Sequence, residues 1–353
     1  MFACSGLRRA VRVSIQKQWS STNNSSGLLR LNRLPPTGTM TKVVCTIGPA
    51  SDVPAKVGDL VTHGMHVARL NFSHAGSDYT YPTDCMGLVR NAPGKHDLLA
   101  TGATVGNAGN ALPKNLRAIL VDTKGPEIRT GMLQSDKDVI EIETDDTVEL
   151  TILDVSTDVV HPTGTHRINV DYKSIAKSMK VGGQVLLDDG LIALEVTAID
   201  PKLEYVTCTA LNGGPIKKNK GVNLPGVELD LPALTEKDKA DLKWACDVGA
   251  DFVAASFIRT PGNVRSVIAF LDRCIIQMPP NADGKLPLRP LVISKIESKE
   301  GVDNFLDILT ESDGIMVARG DLGVEVSDTT MGRSATCVYF VTNFNNLHVL
   351  RMG

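Results

Sequence analysis

Short apolar runs bounded by polar and glycine-rich turns recur along most of the chain. Between them lie segments whose apolar residues return every three or four positions. The first pattern reads as strand and the second as amphipathic helix. Residues 42–47 (Lys42-Val43-Val44-Cys45-Thr46-Ile47) predict a strand that Gly48-Pro49 stops. A helix over 53–63, a strand over 66–72 and a helix over 77–90 follow, with Pro82 weakening the first turn of the last. Residues 91–114, rich in Gly, Ala and Asn, read as a surface insertion before a strand over 116–121. The same alternation returns later: helix 236–248, strand 252–257, helix 261–277, strand 291–296, helix 301–311 and strand 314–318.

From 131 to about 225 the period drops to two. Val139, Glu141 and Glu143 alternate with Ile140 and Ile142, and Val148, Leu150 and Ile152 continue the pattern. Asp188-Asp189-Gly190, between strands over 184–187 and 191–199, is a strong hairpin signal. This stretch is an all-β insertion. Around it, repeated strand–helix units predict a parallel sheet, either doubly wound or a (β/α)₈ barrel. No Gly-x-Gly-x-x-Gly follows the first strand, as a dinucleotide-binding sheet would need. Polar residues gather where strands end: Asn71, Ser73, Asp122, Thr123, Ser256, Lys295, Glu297 and Asp321. In a barrel that is the face where active sites sit. The expectation is an α/β TIM-type barrel, incomplete at about six strands. Its first and sixth strands would then be unpaired edges, with Cys337-Val338-Tyr339-Phe340-Val341 as one possible extra strand.

Four regions follow from these patterns: a basic leader over 1–40, a barrel domain over 41–130 and 226–326, an inserted β-rich domain over 131–225, and a tail over 327–353. Charge sharpens the first of them. The chain's 353 residues carry 37 Lys+Arg and 40 Asp+Glu, yet residues 1–51 hold seven basic side chains and no acid. Leu7, Val11 and Ile15 would share one side of a helix over 5–19. An acid-free opening rich in Arg and Ser has transit-peptide chemistry and predicts a mitochondrial location; a basic tail on a cytoplasmic chain is the alternative. Aromatic residues make up only 4%, so a nucleic-acid-binding surface is not expected. No run of about 18 apolar residues marks a membrane span. The seven cysteines are widely spaced with no Cys-x-x-Cys pair, which fits neither a disulfide framework nor a zinc site.

Three segments could carry chemistry. Arg69, Asn71 and Ser73 share one face of their strand, a set that suits an anionic ligand beside a hard monovalent cation, or simply a solvated face. Asp122-Thr123-Lys124-Gly125-Pro126-Glu127-Ile128-Arg129 packs charge around a Gly-Pro turn, like a binding loop or a solvated one. Lys295 and Glu297 end one strand, and Ala318-Arg319-Gly320-Asp321 follows the next. Carboxylates at adjacent strand ends can hold one Mg²⁺, and a lysine beside it can stabilise charge on a phosphoryl group or an enolate. The same residues also fit a plain ion pair and a turn aspartate. No phosphate-binding Gly-x-x-x-x-Gly-Lys-Ser/Thr loop occurs.

Together these segments closely resemble the pyruvate kinase family. The resemblance rests on residues 41–51 (TKVVCTIGPAS), 67–74 (VARLNFSH), 122–131 (DTKGPEIRTG), 185–192 with its DDG turn, 220–226 (KGVNLPG), 255–259 (ASFIR), 294–297 and 312–324 (SDGIMVARGDLGV). It implies a (β/α)₈ barrel with a β-rich domain inserted after the third strand. It implies phosphoryl transfer from phosphoenolpyruvate to ADP, giving pyruvate and ATP, with Mg²⁺ and K⁺ as cofactors. Carried over by position, Asn71, Ser73, Asp122 and Thr123 (through its carbonyl) match K⁺ ligands. Glu297 and Asp321 match Mg²⁺ ligands, and Lys295 matches the residue that stabilises the transferring group. Arg69 and the Gly320 backbone match substrate-phosphate contacts. Arg129, Lys220 and the turn from Asn71 to His74 match nucleotide contacts. The resemblance stops near residue 326, short of the C-terminal domain that carries much of the family's homotetramer interface. Two other readings stand beside the kinase: an inactive fragment acting as a binding or regulatory partner, and a Mg²⁺-dependent barrel lyase acting on 2-oxo acids.

Overall fold

The computed structural model describes residues 42–92, 117–133, 138–153, 165–202, 204–326 and 349–351. The leader over 1–40, most of the insertion over 91–114 and the candidate strand over 337–341 lie outside them. Strand β1 (Val43–Ile47) leads to helix α1 (Pro54–Thr62), then strand β2 (Met65–Asn71) and a 3₁₀ turn (Phe72–His74). Helix α2 (Thr80–Asn91) runs through Pro82 without a break. Pro82 is the third residue of that helix, where the backbone N–H has no intrahelical acceptor, so its absence costs no bond. Strand β3 (Ala118–Asp122) completes the first half of a parallel sheet.

The chain then leaves that sheet for the insertion. Strands β4 (Ile128–Leu133), β5 (Val139–Ile142), β6 (Thr147–Thr151) and β7 (Thr165–Val170) precede a short helix α3 (Ile175–Ser178). Strands β8 (Gln184–Leu187), β9 (Ile192–Ile199), β10 (Tyr205–Ala210), β11 (Gly214–Lys217) and β12 (Gly221–Asn223) follow. Seven of these close into a barrel in the order β10-β6-β7-β4-β12-β8-β9, and β5 pairs with β11 alone. The predicted hairpin is the antiparallel pair β8–β9, with Leu187 opposite Ile192. Its turn has Asp188, Asp189 and Gly190 at φ of 53°, 57° and 86°, the left-handed region that Asp-Gly turns supply. The alternating side chains close on a core of their own, including Ile128, Leu133, Val148, Leu150, Leu187 and Leu194.

Helix α4 (Glu236–Asp247) returns the chain to the parallel sheet. Strand β13 (Phe252–Ala255), helix α5 (Pro261–Ile276), strand β14 (Leu291–Ile296), helices α6 (Lys299–Asp303) and α7 (Phe305–Glu311), strand β15 (Gly314–Val317) and helix α8 (Arg319–Glu325) follow. Where one helix over 301–311 is expected, the helix breaks at Asn304, whose side chain donates to the Arg259 carbonyl at 3.0 Å. Thr235 and Thr260 close capping boxes with Asp238 and Asn263, satisfying orphan N–H groups at the starts of α4 and α5. A short strand β16 (Val349–Arg351) pairs in parallel with β15, register Ile315 with Val349. Among the described residues the parallel sheet therefore has seven strands, in the order β1-β2-β3-β13-β14-β15-β16, and the sixth is not the edge that the sequence pattern predicts. Three residues are too few to show a period. Helices α1, α2, α4, α5 and α7 cover one face of this sheet with residues such as Val57, Val89, Leu242, Val267 and Ile308. The strand ends that follow β2, β3, β13, β14 and β15 all lie on the opposite rim from their N-termini, as parallel pairing requires.

Candidate active site

The centre of that rim is Lys295, the last residue but one of β14. Strand β14 lies between β13 and β15, so a side chain there is walled in from both sides, and Lys295 is buried. Its ammonium meets Glu297 Oε1 at 2.8 Å, Asp122 Oδ1 at 3.2 Å and Ser256 Oγ at 2.8 Å. Burial alone would push the ammonium toward its neutral form. The Glu297 and Asp122 carboxylates outweigh it and hold the lysine pKa above its ordinary value.

Glu297 is completely buried. Its Oε2 accepts from the Phe257 backbone N–H at 2.6 Å. Phe257 holds a φ of 53°, a left-handed conformation that is strained for a bulky residue and that aims its N–H at the carboxylate. Burial pushes the Glu297 carboxyl up to about 7; the Lys295 ammonium opposes the rise and Asp321 adds to it. Asp321 stands in the first turn of α8, after the next strand.

Asp122, at the end of β3, is the second buried carboxylate of the group. Its Oδ2 takes the Arg69 Nε at 2.6 Å, and Arg69 Nη1 reaches Thr46 Oγ1 at 2.8 Å. Asn71 and Asp122 are direct partners in the β2–β3 register, which sets both at the rim. Asn71 Oδ1 caps the 3₁₀ turn by accepting from Ser73 N, and the Thr123 carbonyl accepts from Ser256 Oγ at 2.6 Å. So β1, β2, β3, β13 and β14 converge Thr46, Arg69, Asn71, Asp122, Ser256, Lys295 and Glu297.

A cavity of about 450 Å³ adjoins this cluster, between the rim and the inserted barrel. Asp321 and Phe257 line it from the rim; Arg129, Asp188 and Lys220 line it from the insertion. Arg129 pairs with Glu127 at 2.5 Å and donates to the Asn219 carbonyl, while Lys220 pairs with Asp188 at 2.9 Å. Asn223 of β12 donates to Glu325 of α8 at 3.0 Å, tying insertion to rim. Of the expected nucleotide residues, Arg129 and Lys220 face this cavity, whereas Asn71, beside Asp122 in the β2–β3 register, does not line it. The His74 side chain lies outside the described atoms. Gly320 is exposed in the first turn of α8, with open space where a Cβ would stand.

Both expected cations suit these residues. Glu297 Oε1 meets the Lys295 ammonium at 2.8 Å, and the Asp321 charge bears on the same carboxylate. A divalent ion would relieve that repulsion. Among the described residues no group of three or more His, Cys, Asp or Glu side chains converges as a ligand set. Two carboxylates still suffice for Mg²⁺, which completes its shell with water and substrate oxygens. Asn71, Ser73, Asp122 and the Thr123 carbonyl present only oxygen, one of them charged, as a hard monovalent ion prefers.

Three contributors escape a reading of sequence patterns. Phe257 acts through its backbone, and no residue type announces a left-handed phenylalanine. Glu325 meets Asn223 across the domain boundary. Asp238 is visible only as half of the Thr235-x-x-Asp238 helix-start signature.

Fold and site define a parallel α/β barrel-type protein with an inserted β-barrel and a lysine–carboxylate centre at its strand ends. The chain belongs to the pyruvate kinase family: the model of that family's barrel domain matches residues 39–337. It is 40% identical over 302 residues to a pyruvate kinase of Dictyostelium discoideum, covering 84% of this chain and 52% of that one. It is 42% identical over 287 residues to one from Geobacillus stearothermophilus, covering 81% and 42%. A crystal structure of a pyruvate kinase from Cryptosporidium parvum superposes with a TM-score of 0.73 at 32% identity, over 88% of this chain and 57% of that one. The chain spans about half the length of the relatives it matches.

Proposed function

We propose that the chain transfers the phosphoryl group of phosphoenolpyruvate to ADP, giving pyruvate and ATP, as a Mg²⁺- and K⁺-dependent kinase of glycolysis. The observation that carries this reading is the buried Lys295 ammonium, kept charged by Glu297 and Asp122 beside a cavity that Arg129 and Lys220 line from the insertion. A fixed positive charge in a dry site stabilises the charge that develops as the phosphoryl group leaves and the enolate forms. Because Glu297 and Asp122 already hold the ammonium, it needs no rearrangement at the moment of reaction. Arg69, oriented by Asp122 and Thr46, and the open backbone at Gly320 suit the substrate phosphate. Arg129 and Lys220 suit the nucleotide phosphates, exchanging their present carboxylate partners for the ligand. Glu297 and Asp321 would hold Mg²⁺, which would supply positive charge against the substrate phosphates, and Asn71, Ser73, Asp122 and the Thr123 carbonyl would hold K⁺ as a second cation. A lyase would have no nucleotide for Arg129 and Lys220 to meet, which favours the kinase.

The test is ATP formation from phosphoenolpyruvate and ADP, coupled to lactate formation from the pyruvate released. Turnover that needs both Mg²⁺ and K⁺ is expected. Pyruvate release from a different 2-oxo acid without ADP would overturn the proposal in favour of the lyase.

A further inference from the structure

Helix α4 reaches out of its own framework to both loops that carry the proposed monovalent-cation ligands. Lys237, the second residue of the helix, donates to the Phe72 carbonyl at 3.0 Å, between Asn71 and Ser73 in the chain. Its ammonium is fixed by the fully buried Asp241 one turn later, at 2.7 Å, and Asp241 also accepts from the Tyr79 hydroxyl at 2.8 Å. The Phe72 ring closes the other side of the turn, packed against Trp244 at 5.1 Å and Tyr79 at 5.9 Å.

Asp238, the next residue, divides its two oxygens. Oδ2 completes the capping box with the Thr235 backbone and hydroxyl, at 2.9 and 2.7 Å. Oδ1 accepts from Gly125 N at 2.9 Å, two residues beyond Thr123. Gly125 holds a φ of 75°, and a Cβ there would lie 2.7 Å from Ser256 Cβ. That loop therefore has one tight seat, and the Asp238 bond keeps it there. Neither the Lys237–Phe72 bond nor the Asp238–Gly125 bond serves the helix itself, since the capping box is complete with one oxygen.

From this we infer that Lys237 and Asp238 are positioning residues for the monovalent-cation site, clamping the 71–73 turn and the 123–125 loop to one helix at the spacing the ion requires. The inference rests on the cation reading given under the proposed function. An ion that trades its hydration shell for protein oxygens binds well only when those oxygens are held in place, and outer-shell partners of metal ligands typically contribute about 10–100-fold in affinity. Lys237 touches neither ion nor substrate, so its removal should weaken cation binding and leave the chemical step nearly intact.

The experiment titrates the full chain with KCl, with tetramethylammonium chloride holding ionic strength constant. Two readouts are taken: the thermal midpoint followed by tryptophan fluorescence, and the rate of ATP formation. Lys237→Met and Asp238→Asn should raise the K⁺ half-saturation about tenfold or more in both, with kcat at saturating K⁺ within about threefold of the parent. Lys237→Arg should recover part of the loss. Lys243→Met, on the same helix but in an exposed pair with Asp247, should leave the half-saturation unchanged. If Asp238→Asn fails to fold, Lys237→Met still decides, because its side chain is a third exposed and the capping box survives. An unchanged half-saturation in Lys237→Met, a lower kcat at unchanged half-saturation, or a parent whose midpoint ignores K⁺ would each overturn the inference. A K⁺-dependent midpoint that shifts in Lys237→Met, in a chain that forms no ATP, would sustain the clamp and overturn the proposed function.

Discussion

Replacing Lys295 with methionine keeps most of the apolar stem and removes one charge from a site that holds two buried carboxylates. Asp122 keeps its Arg69 partner at 2.6 Å, so the loss falls on Glu297, left with the Phe257 N–H alone. Removing one partner of a buried pair typically costs about 3–5 kcal/mol. Here protonation limits the cost, because burial already raises the Glu297 carboxyl to about 7 with the lysine present. Without the ammonium its pKa rises further, and the variant takes up a proton near neutral pH. The sign follows from linkage. A carboxyl whose folded pKa exceeds its unfolded value costs stability as pH climbs from the unfolded to the folded pKa, and the cost is then level. In the parent that decline ends near 7; in Lys295→Met it continues above 7. The stability deficit of the variant should therefore widen from about pH 7 upward, to roughly 2–4 kcal/mol. Urea denaturation followed by tryptophan fluorescence, run on both proteins between about pH 6 and 9, measures the difference directly. In the coupled assay kcat at saturating Mg²⁺ should drop by about 10²–10³-fold or more, since the lysine stabilises charge and ligates nothing. A variant with parental turnover, or a deficit flat across that pH range, would refute the placement of Lys295 as the ammonium that opposes protonation of Glu297.

Glu297→Gln should instead weaken Mg²⁺ binding by about tenfold or more, as a Mn²⁺ titration by electron paramagnetic resonance would read; parental Mn²⁺ affinity would remove Glu297 from the ligand set. Gly125→Ala forces a Cβ to 2.7 Å from Ser256 Cβ at a φ of 75°, and should cost about 1–3 kcal/mol in chemical denaturation. A loss below about 0.5 kcal/mol would show that the 123–126 loop can shift freely. We further propose that residues 1–40 deliver a fused fluorescent reporter to mitochondria, because they combine basic side chains with no acid; diffuse cytosolic signal would leave them a basic tail.

The local features of this protein are written in its sequence because their causes are local. The change of period from three-to-four to two at the insertion, the Asp188-Asp189-Gly190 turn and the stops at strand ends each need only a few adjacent residues. So does the gathering of Asn71, Asp122, Lys295 and Glu297 at strand ends, since parallel strands put every such end on one rim. Position on the rim is legible; partnership across it is not. That Asp122 divides its oxygens between Arg69 and Lys295 depends on the registers of β2, β3, β13 and β14, which bring together residues far apart in the chain. The left-handed backbone of Phe257, the split allegiance of Asp238 and the reach of Lys237 to the Phe72 carbonyl belong to packing, because each is decided by a neighbour that no local pattern names. The three-residue strand β16 is the same case in the backbone. Val349–Arg351 has no strand signal of its own and becomes one only where the open edge of β15 offers its hydrogen bonds.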